Sequence, residues 1–338
     1  MKLTGDEKSR LAKRHTLDVE AYQSFIKGIY FWNQRTEDGI RRSIEYFKGA
    51  VELDASYAPA YAGLADAYGM AGYYGYESTG KREDVYKEAR ALAVQALQLD
   101  DGIAEAHVVM ALVESELEND IAGAEQEYKR ALELNPGSAL AHHRYSVLLL
   151  RGGRINEADV ESKKASDLDP LSMVVSTSHC STLYFKRAYD EAAKCSRRAL
   201  EIHPDSSQAL LLLGLSLGQQ GRYDESIPPL RKMRELNASD TDIEALRSLG
   251  HVYALSGKKQ EARRILLRLD GLSEKHDEAL LSKALIHSAL GEMDQVFAVL
   301  EKRAPHWWEE PVGLRIDPRY DHIKADPRYA ELLKRRFG

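Results

Sequence analysis

The sequence predicts an all-α fold, an α-α superhelix (solenoid) of about eight helix-turn-helix repeats with a short capping segment at its end. Three observations lead to this prediction: a proline that recurs at a fixed interval, small residues at fixed positions, and glycine at the turns. The prolines are Pro136, Pro170 and Pro204, which follow one another every 34 residues. A period of this length is typical of stacked helix pairs, each of which buries its apolar side against its neighbours.

Small residues occupy the eighth position of every repeat, where the two helices of a pair must cross. The eight residues are Gly28, Ala65, Ala111, Ser146, Cys180, Gly214, Gly250 and Ala284. Antiparallel helices joined by a short turn approach closely only where bulk is missing. The twentieth position is also small in most repeats, so we expect the crossing there, with larger residues such as Phe47, Tyr128 and Leu230 around it.

Glycine recurs at the fifteenth position and predicts the turn between the two helices, because glycine ends helices in the left-handed conformation. The five glycines are Gly72, Gly153, Gly221, Gly257 and Gly291. Repeat one is stretched in its turn, and repeat two carries an insertion near residues 73–83. In repeat six we expect Pro228 and Pro229 close to the first turn of the second helix, behind a cap at Asp224.

After repeat eight the pattern stops, and the tetrapeptide Asp-Pro-Arg-Tyr occurs twice, at 317–320 and at 326–329. Asp followed by Pro is a signal for the start of a helix. We therefore expect two short helices that cover the apolar surface of the last repeat. The predicted organisation is a linker segment at 1–17, a solenoid at 18–304 and a cap at 305–338.

These repeats resemble the tetratricopeptide repeat (TPR) family over roughly residues 18–304. Residues 27–68 and 315–337 resemble, more specifically, the C-terminal repeat region of bacterial signalling proteins. In that group the repeats follow a class III nucleotide cyclase domain, a winged-helix DNA-binding domain or a protein kinase domain. The resemblance implies a regulatory role, either as the C-terminal part of a longer protein or as a stand-alone copy of that part. None of the catalytic motifs of those effector domains occurs in the sequence.

Composition argues against several other classes of function. The 47 basic and 53 acidic residues are mixed along the chain, without the block of like charge that is typical of a nucleic-acid-binding arm. The N-terminus lacks the apolar core of a secretory signal, and the most apolar stretch, residues 209–218, is too short for a membrane span. We therefore expect a cytoplasmic protein that binds no nucleic acid.

Several patterns imitate a chemical site without completing it. Residues 75–82 nearly spell a phosphate-binding loop, but Arg82 stands where a Ser or Thr would hold magnesium, and no strand is predicted before it. His142 and His143 are adjacent and so point to different sides of a helix, which makes them a poor chelating pair. We expect no catalytic residue, no metal and no cofactor.

The two cysteines, Cys180 and Cys195, are too few for a disulfide framework or a zinc site. Cys180 takes the small, buried eighth position, and Cys195 lies on the following helix, close to it. Two interpretations remain open, ordinary packing and a redox switch. Packing is the expected one, because buried thiols are usually inert.

The inner face of the first helices is the predicted partner-binding groove. The resemblance implies that positions 2, 5, 9, 12 and 13 of each first helix line this concave face. The candidate groove residues are His143, Val147, Leu150, Arg151, Thr177, Ser181, Tyr184, Phe185, Leu211 and Leu215. The cluster of lysine, arginine and asparagine by which some family members hold a carboxylate is absent, so we expect an amphipathic helix or an extended apolar segment. For Tyr184 and Phe185 a second interpretation is packing between repeats.

The sequence therefore predicts a non-enzymatic interaction module that holds a protein or peptide, or its own N-terminal effector domain, in this groove. The alternative is a self-assembling structural scaffold, a homo-oligomer formed through its terminal repeats. Trp307, Trp308 and Leu314 are the residues predicted for that contact.

Overall fold

The computed structural model of the chain describes residues 16–237, 242–273, 277–301, 316–324 and 326–337. Every regular element in these ranges is helical, which confirms the predicted all-α solenoid. The helices are α1 Val19–Trp32, α2 Glu37–Leu53, α3 Ala58–Tyr74, α4 Arg82–Leu99, α5 Ala104–Val113, α6 Ile121–Leu134, α7 Ala139–Arg151, α8 Ile155–Leu168, α9 Met173–Phe185, α10 Tyr189–Ile202, α11 Ser207–Gln219, α12 Tyr223–Asn237, α13 Ile243–Leu255, α14 Lys259–Leu272, α15 Asp277–Ala289, α16 Met293–Leu300, α17 Asp321–Lys324 and α18 Pro327–Phe337. Helices α1 to α16 form eight consecutive pairs, one for each predicted repeat.

The chain divides into two compact units, residues 1–145 and 146–338, and the boundary falls inside α7. Unit 1 has one large apolar core, which contains Phe47, Tyr86 and a run of buried alanines. Unit 2 has several clusters, of which the largest includes Leu230, Leu246 and Leu269. Each unit therefore buries apolar surface of its own, as expected for a chain of this length.

The small eighth position brings the two helices of a repeat into direct contact. A Cβ atom added at Gly28 would lie 2.6 Å from the ring of Phe47, and one added at Gly214 would lie 2.5 Å from Cγ of Leu230. Both large side chains come from the twenty-fourth position on the second helix. At the same crossing the hydroxyl of Ser226 donates to the carbonyl of Gly214 at 2.6 Å. The missing Cβ therefore makes room for one large neighbour.

Glycine in the left-handed conformation separates the two helices of four repeats. These residues are Gly153, Gly221, Gly257 and Gly291, with φ between 74° and 78°. The prediction for Gly72 is wrong, because α3 continues to Tyr74 and Gly75 takes the left-handed conformation instead, with φ 69°. Gly72 lies against the ring of Tyr86, where a Cβ would be 3.0 Å from Cζ. Its lack of a side chain serves close packing and not a turn.

The prolines of repeat six lie deeper in their helix than predicted. Helix α12 begins at Tyr223, before the expected cap at Asp224, so Pro228 and Pro229 occupy its second turn. Because proline has no N–H group, neither residue can donate to the carbonyl four residues earlier. The helix nevertheless continues to Asn237.

Repeat three is one residue longer than the 34-residue period, and a π-turn accommodates the difference. Residues Glu114–Glu118 are π-helical and end at Asn119, whose φ is 54°. The N–H of Asp120 donates to the carbonyl of Glu114 at 2.9 Å. The π-turn lengthens the first helix of the repeat by one residue before the turn at Asn119, so the next repeat starts in register.

Two short helices at the C-terminus cover the last repeat. A 3₁₀ turn, Pro318–Tyr320, leads into α17, and α18 follows. The apolar cluster formed with the last repeat contains Tyr320, Ile323, Tyr329 and Leu332 from the C-terminal segment and Leu281, Leu285, Val296, Phe297 and Leu300 from α15 and α16. Without this segment the end of the solenoid would expose that surface to water, at about 25 cal/mol per Å² of apolar area.

The two cysteines form a disulfide, contrary to the expectation of packed thiols. Cys180 in α9 and Cys195 in α10 are bonded, with their Cα atoms 5.4 Å apart. The close helix crossing at the eighth position brings the second cysteine within the range that a disulfide needs. The bond therefore ties the first helix of repeat five to the second.

Candidate functional site

The first helices of unit 2 pack side by side, and their common surface is termed the first-helix face. It is formed by α9, α11, α13 and α15, each of which contacts the next. The predicted groove residues 177–185 lie on α9, and Leu211 and Leu215 lie on α11. Val147, Leu150 and Arg151 belong to the part of α7 that falls in unit 2.

The predicted groove residues differ in exposure. Thr177, Tyr184 and Leu215 are buried, with 5%, 1% and 6% of their surface exposed. The half-buried residues are His143, Val147, Leu150, Arg151, Ser181, Phe185 and Leu211. Only the half-buried group keeps surface that a partner could contact without a change in packing.

Tyr184 packs between repeats five and six. Its ring lies edge-on to Phe185, with the ring centroids 5.4 Å apart, and it shares an apolar cluster with Leu212 and Leu215. Burial, together with the nearby carboxylate of Asp317, raises the pKa of the Tyr184 hydroxyl well above its usual value. Among the described residues that hydroxyl has no hydrogen-bond partner.

His143 lies in unit 1 and carries no charge at neutral pH. Burial lowers its pKa to about 3, and the neighbouring cations Arg144 and Arg35 act in the same direction. Arg144 is itself buried and forms an ion pair with Asp66, with 2.6 Å between Nη2 and Oδ1. His143 therefore cannot supply a positive charge to an acidic partner.

The chain's own residues 316–324, termed the DPRY segment, lie on the first-helix face. They form hydrogen bonds with Arg187 in the turn of repeat five, with Glu244 in α13 and with the carbonyl of Leu281 in α15. Asp317, Arg319, Tyr320 and Ile323 of this segment are buried. Sequence reasoning placed the segment over the last repeat and missed this second contact.

Arg319 anchors the DPRY segment. Its Nε donates to Oδ2 of Asp317 at 2.9 Å, and its Nη1 reaches Oε1 of Glu244 at 3.3 Å and Oγ of Ser248 at 3.5 Å. Burial disfavours the charged guanidinium, but Asp317, Tyr184 and Tyr320 together favour it more strongly, and the pKa of Arg319 is raised. A guanidinium enclosed with two carboxylates in this way is a compensated buried charge.

Arg187 holds the end of the DPRY segment. Both of its Nη atoms donate to the carboxylate of Asp321, with 2.9 Å between Nη2 and Oδ1. This hydrogen bond raises the pKa of Arg187. Partial burial works against the charge of Asp321, yet the hydrogen bonds from Arg187 and Lys324 lower the pKa of that carboxyl.

Arg187 occupies a position that is glycine in the neighbouring repeats. Gly153 and Gly221 stand at the equivalent turns of repeats four and six, and Arg187 shares their left-handed backbone, with φ 66°. Residues with a side chain adopt this conformation at a cost. Arg35, in the turn of repeat one, also has a left-handed backbone, with φ 54°. The feature that distinguishes Arg187 is its pair with Asp321.

The near-match to a phosphate-binding loop leads into α4, and Arg82 is the first residue of that helix. A cavity of about 500 Å³ adjoins it, lined by Gly75, Tyr76, Lys81 and Arg82 among others. Arg82 is ion-paired with Glu116, with 2.8 Å between Nη2 and Oε2. Within the described ranges no three His, Cys, Asp or Glu side chains are grouped as metal ligands would be.

No helix in the described part of the chain combines the length and the apolar character needed to cross a membrane.

Comparison with known proteins finds a known repeat type in part of the chain. Residues 181–241 match the family model described as tetratricopeptide repeat. The chain is 29% identical over 198 residues to anaphase-promoting complex subunit 7 of Mus musculus, which covers 52% of the chain and 34% of that protein. It is 24% identical over 268 residues to superkiller complex protein 3 of Mus musculus, which covers 78% of the chain and 16% of that protein. The chain thus spans about a third or less of the length of these relatives.

Solved structures share the fold. A tetratricopeptide repeat protein from Parabacteroides merdae superposes with a TM-score of 0.56 at 14% identity, covering 80% of this chain and 97% of that one. Yeast Tom70 gives a TM-score of 0.52 at 15% identity, with 94% of this chain and 68% of that one covered. PilW, a type IV pilus biogenesis factor, gives 0.53 at 18% identity, with 64% and 96% covered. At these identities the likeness concerns the fold alone.

Proposed function

Since the chain is a tetratricopeptide repeat protein, we propose that it is a non-enzymatic interaction module that binds a protein segment on the first-helix face of unit 2. Proteins of this kind generally mediate contacts between proteins. One observation carries the proposal. The first-helix face holds a turn of protein chain, the DPRY segment, through a buried arginine and a paired carboxylate. The groups that contact the DPRY segment are Glu244, Ser248 and Arg187. They can bind a segment of another protein that carries an arginine and a carboxylate.

The proposed setting is regulation in the cytoplasm of a bacterium. The resemblance of residues 27–68 and 315–337 to the repeat region of bacterial signalling proteins supports a partner that is either a separate protein or the chain's own N-terminal effector domain. The disulfide between Cys180 and Cys195 bears on this setting, because disulfides are rare and usually transient in the cytosol. A cytoplasmic location therefore implies that the two cysteines are reduced for most of the time.

The test compares partner capture by variants of the first-helix face with capture by an outer-surface control. Ser181→Arg and Gln208→Arg place a large charged side chain on α9 and α11, whereas Gln260→Arg places the same side chain on the second helix α14. For a protein that the wild type captures from the source lysate, we expect the first two variants to bind it with an affinity at least about tenfold lower, which is about 1.4 kcal/mol. The Gln260→Arg chain should capture it as well as the wild type.

Circular dichroism of the three variants verifies that helicity is unchanged. Equal capture by all three would exclude the first-helix face as the binding surface.

Self-association is a second candidate function, and the surface of α1 favours it. Val19, Tyr22, Ile26 and Ile29 follow helical spacing and are all exposed. An apolar stripe on the first helix of a solenoid is a surface that a second copy can cover. Trp307, Trp308 and Leu314, the residues predicted for this contact, lie outside the described residues.

A further inference from the structure

The tetrapeptide Asp-Pro-Arg-Tyr makes the same hydrogen bonds between its Asp and its Arg at both of its occurrences. The Asp side chain accepts a hydrogen bond from the N–H of the Arg, at 2.9 Å for Asp317 and 3.0 Å for Asp326. The Nε atom of each Arg then folds back onto the same carboxylate. Yet the side chain of Arg319 is 8% exposed and that of Arg328 is 44% exposed. The local turn is therefore a property of the tetrapeptide, and the burial of the first copy has another cause.

Contacts with the first-helix face account for the difference. Arg319 reaches Glu244 and Ser248 on α13, whereas Arg328 pairs with the exposed Asp294 at 2.8 Å. The residue after the first tetrapeptide is Asp321, which binds Arg187. The residue after the second is Ala330, which has no carboxylate to offer. The first-helix face thus contacts a five-residue pattern, Asp-Pro-Arg-Tyr-Asp.

The turn of repeat five is adapted to this contact. Arg187 holds a backbone conformation in which repeats four, six, seven and eight use glycine, and such strain persists where surrounding contacts maintain it. Its bidentate pair with Asp321 is a contact of that kind. A glycine at this position would relieve the strain but could not form the ion pair with the carboxylate of Asp321.

We propose that the DPRY segment is a resident ligand of the first-helix face, and that the partner of this module is a protein segment of the same chemistry. The partner presents an arginine on an aspartate-capped turn, followed by an aromatic residue and a second carboxylate. This inference rests on the proposed function and adds the partner's chemistry and its regulation.

Regulation follows because the partner must displace the resident segment. An intramolecular ligand competes at an effective concentration on the order of millimolar. The apparent affinity for the partner is therefore the intrinsic affinity multiplied by the fraction of molecules in which the first-helix face is free.

The first experiment measures binding of a fluorescent peptide with the sequence of residues 315–325 to the full chain by anisotropy. The Arg319→Ala chain keeps every group of the first-helix face, but its DPRY segment loses the arginine that anchors it. Because the face is then free in more molecules, we expect the Kd of the peptide to be at least about tenfold below that of the wild type. Arg328→Ala, the matched change in the second tetrapeptide, should bind like the wild type. A peptide with alanine in place of its arginine should bind neither chain.

Two results would overturn the proposal: no gain in affinity in the Arg319→Ala chain, or equal binding of the two peptides.

A second variant guards against unfolding, because Arg319→Ala leaves Asp317 without its cation, whereas Glu244 keeps its ion pair with Arg247. Arg187→Gly gives the turn the residue of repeats four and six and removes the pair with Asp321. Local release of a segment speeds its amide hydrogen exchange. We expect exchange in residues 317–324 to rise at least about tenfold in Arg187→Gly and to stay at the wild-type rate in Arg328→Ala. Unchanged exchange in Arg187→Gly contradicts the proposal.

The outcomes separate this inference from the proposed function. If the peptide does not bind while Ser181→Arg still loses the captured partner, the face binds another chemistry and the inference falls. If the peptide binds as expected while every face variant captures the partner equally, the proposed function is wrong, but the DPRY segment is still a ligand of the first-helix face. If the wild type proves to be a dimer that exchanges the DPRY segment, the intramolecular assignment is wrong.

Discussion

Among single residues, those at the eighth position of the repeat show how little space the helix crossing leaves. A Cβ at Gly214 would meet Leu230 at 2.5 Å, whereas repeat five carries Cys180 at the same position and bonds it to the facing helix. The position therefore admits only small side chains, and the choice among them depends on the residue that faces it from the second helix. Small size was visible in the sequence, but the neighbour was not, because it lies on another helix.

His251 should make the protein less stable in acid. Burial lowers its pKa to about 3, and Arg319 and His322 act in the same direction. In the unfolded chain a histidine binds a proton below about pH 6.5. The unfolded state therefore binds more protons, and the free energy of unfolding falls as the pH drops from about 6.5 towards 3.

The measurement is urea unfolding at pH 6, 5 and 4. In His251→Gln we expect the fall in the free energy of unfolding to be shallower than in the wild type by up to about 1.4 kcal/mol per pH unit. Identical slopes for His251→Gln and the wild type would contradict a neutral buried His251.

At the level of the helices, caps and turns explain where most elements begin and end. Asp18, Ser172, Ser206 and Asp242 each accept a hydrogen bond from the N–H three residues later and start α1, α9, α11 and α13. Such caps are readable from sequence. The late prolines of α12 were not, because the helix continues through residues that local preferences would place at its start.

Reduction of the Cys180–Cys195 disulfide should destabilise unit 2. The bond closes a loop with a sequence separation of 15, and a cross-link of that span removes unfolded-chain entropy worth about 3 kcal/mol. We expect dithiothreitol to lower the free energy of unfolding of unit 2 by about 2–4 kcal/mol, measured by urea unfolding with and without reductant. The Cys180→Ala/Cys195→Ala double variant should not respond to reductant. A response equal to that of the wild type would show that the effect has another source.

For the molecule as a whole, the exposed stripe on α1 predicts concentration-dependent association. Burial of apolar side chains such as Ile26 between two copies is favourable, and a charge there opposes it. We expect the average mass of the wild type in sedimentation equilibrium to rise with concentration, and that of Ile26→Glu to stay at the monomer value. Leu267→Glu, on the exposed side of α14, is the control and should associate like the wild type. A wild type that remains monomeric throughout excludes self-association through α1.

The repeating prolines, glycines and small residues were sufficient to establish the all-α solenoid and its eight helix pairs, because each pattern acts within one repeat, over distances that periodicity describes. The occupant of the first-helix face could be known only from the folded chain. Arg319 and Glu244 are 75 residues apart in sequence, and Arg187 and Asp321 are 134 apart. No period relates such positions, so only the packing of the complete unit brings their charges together.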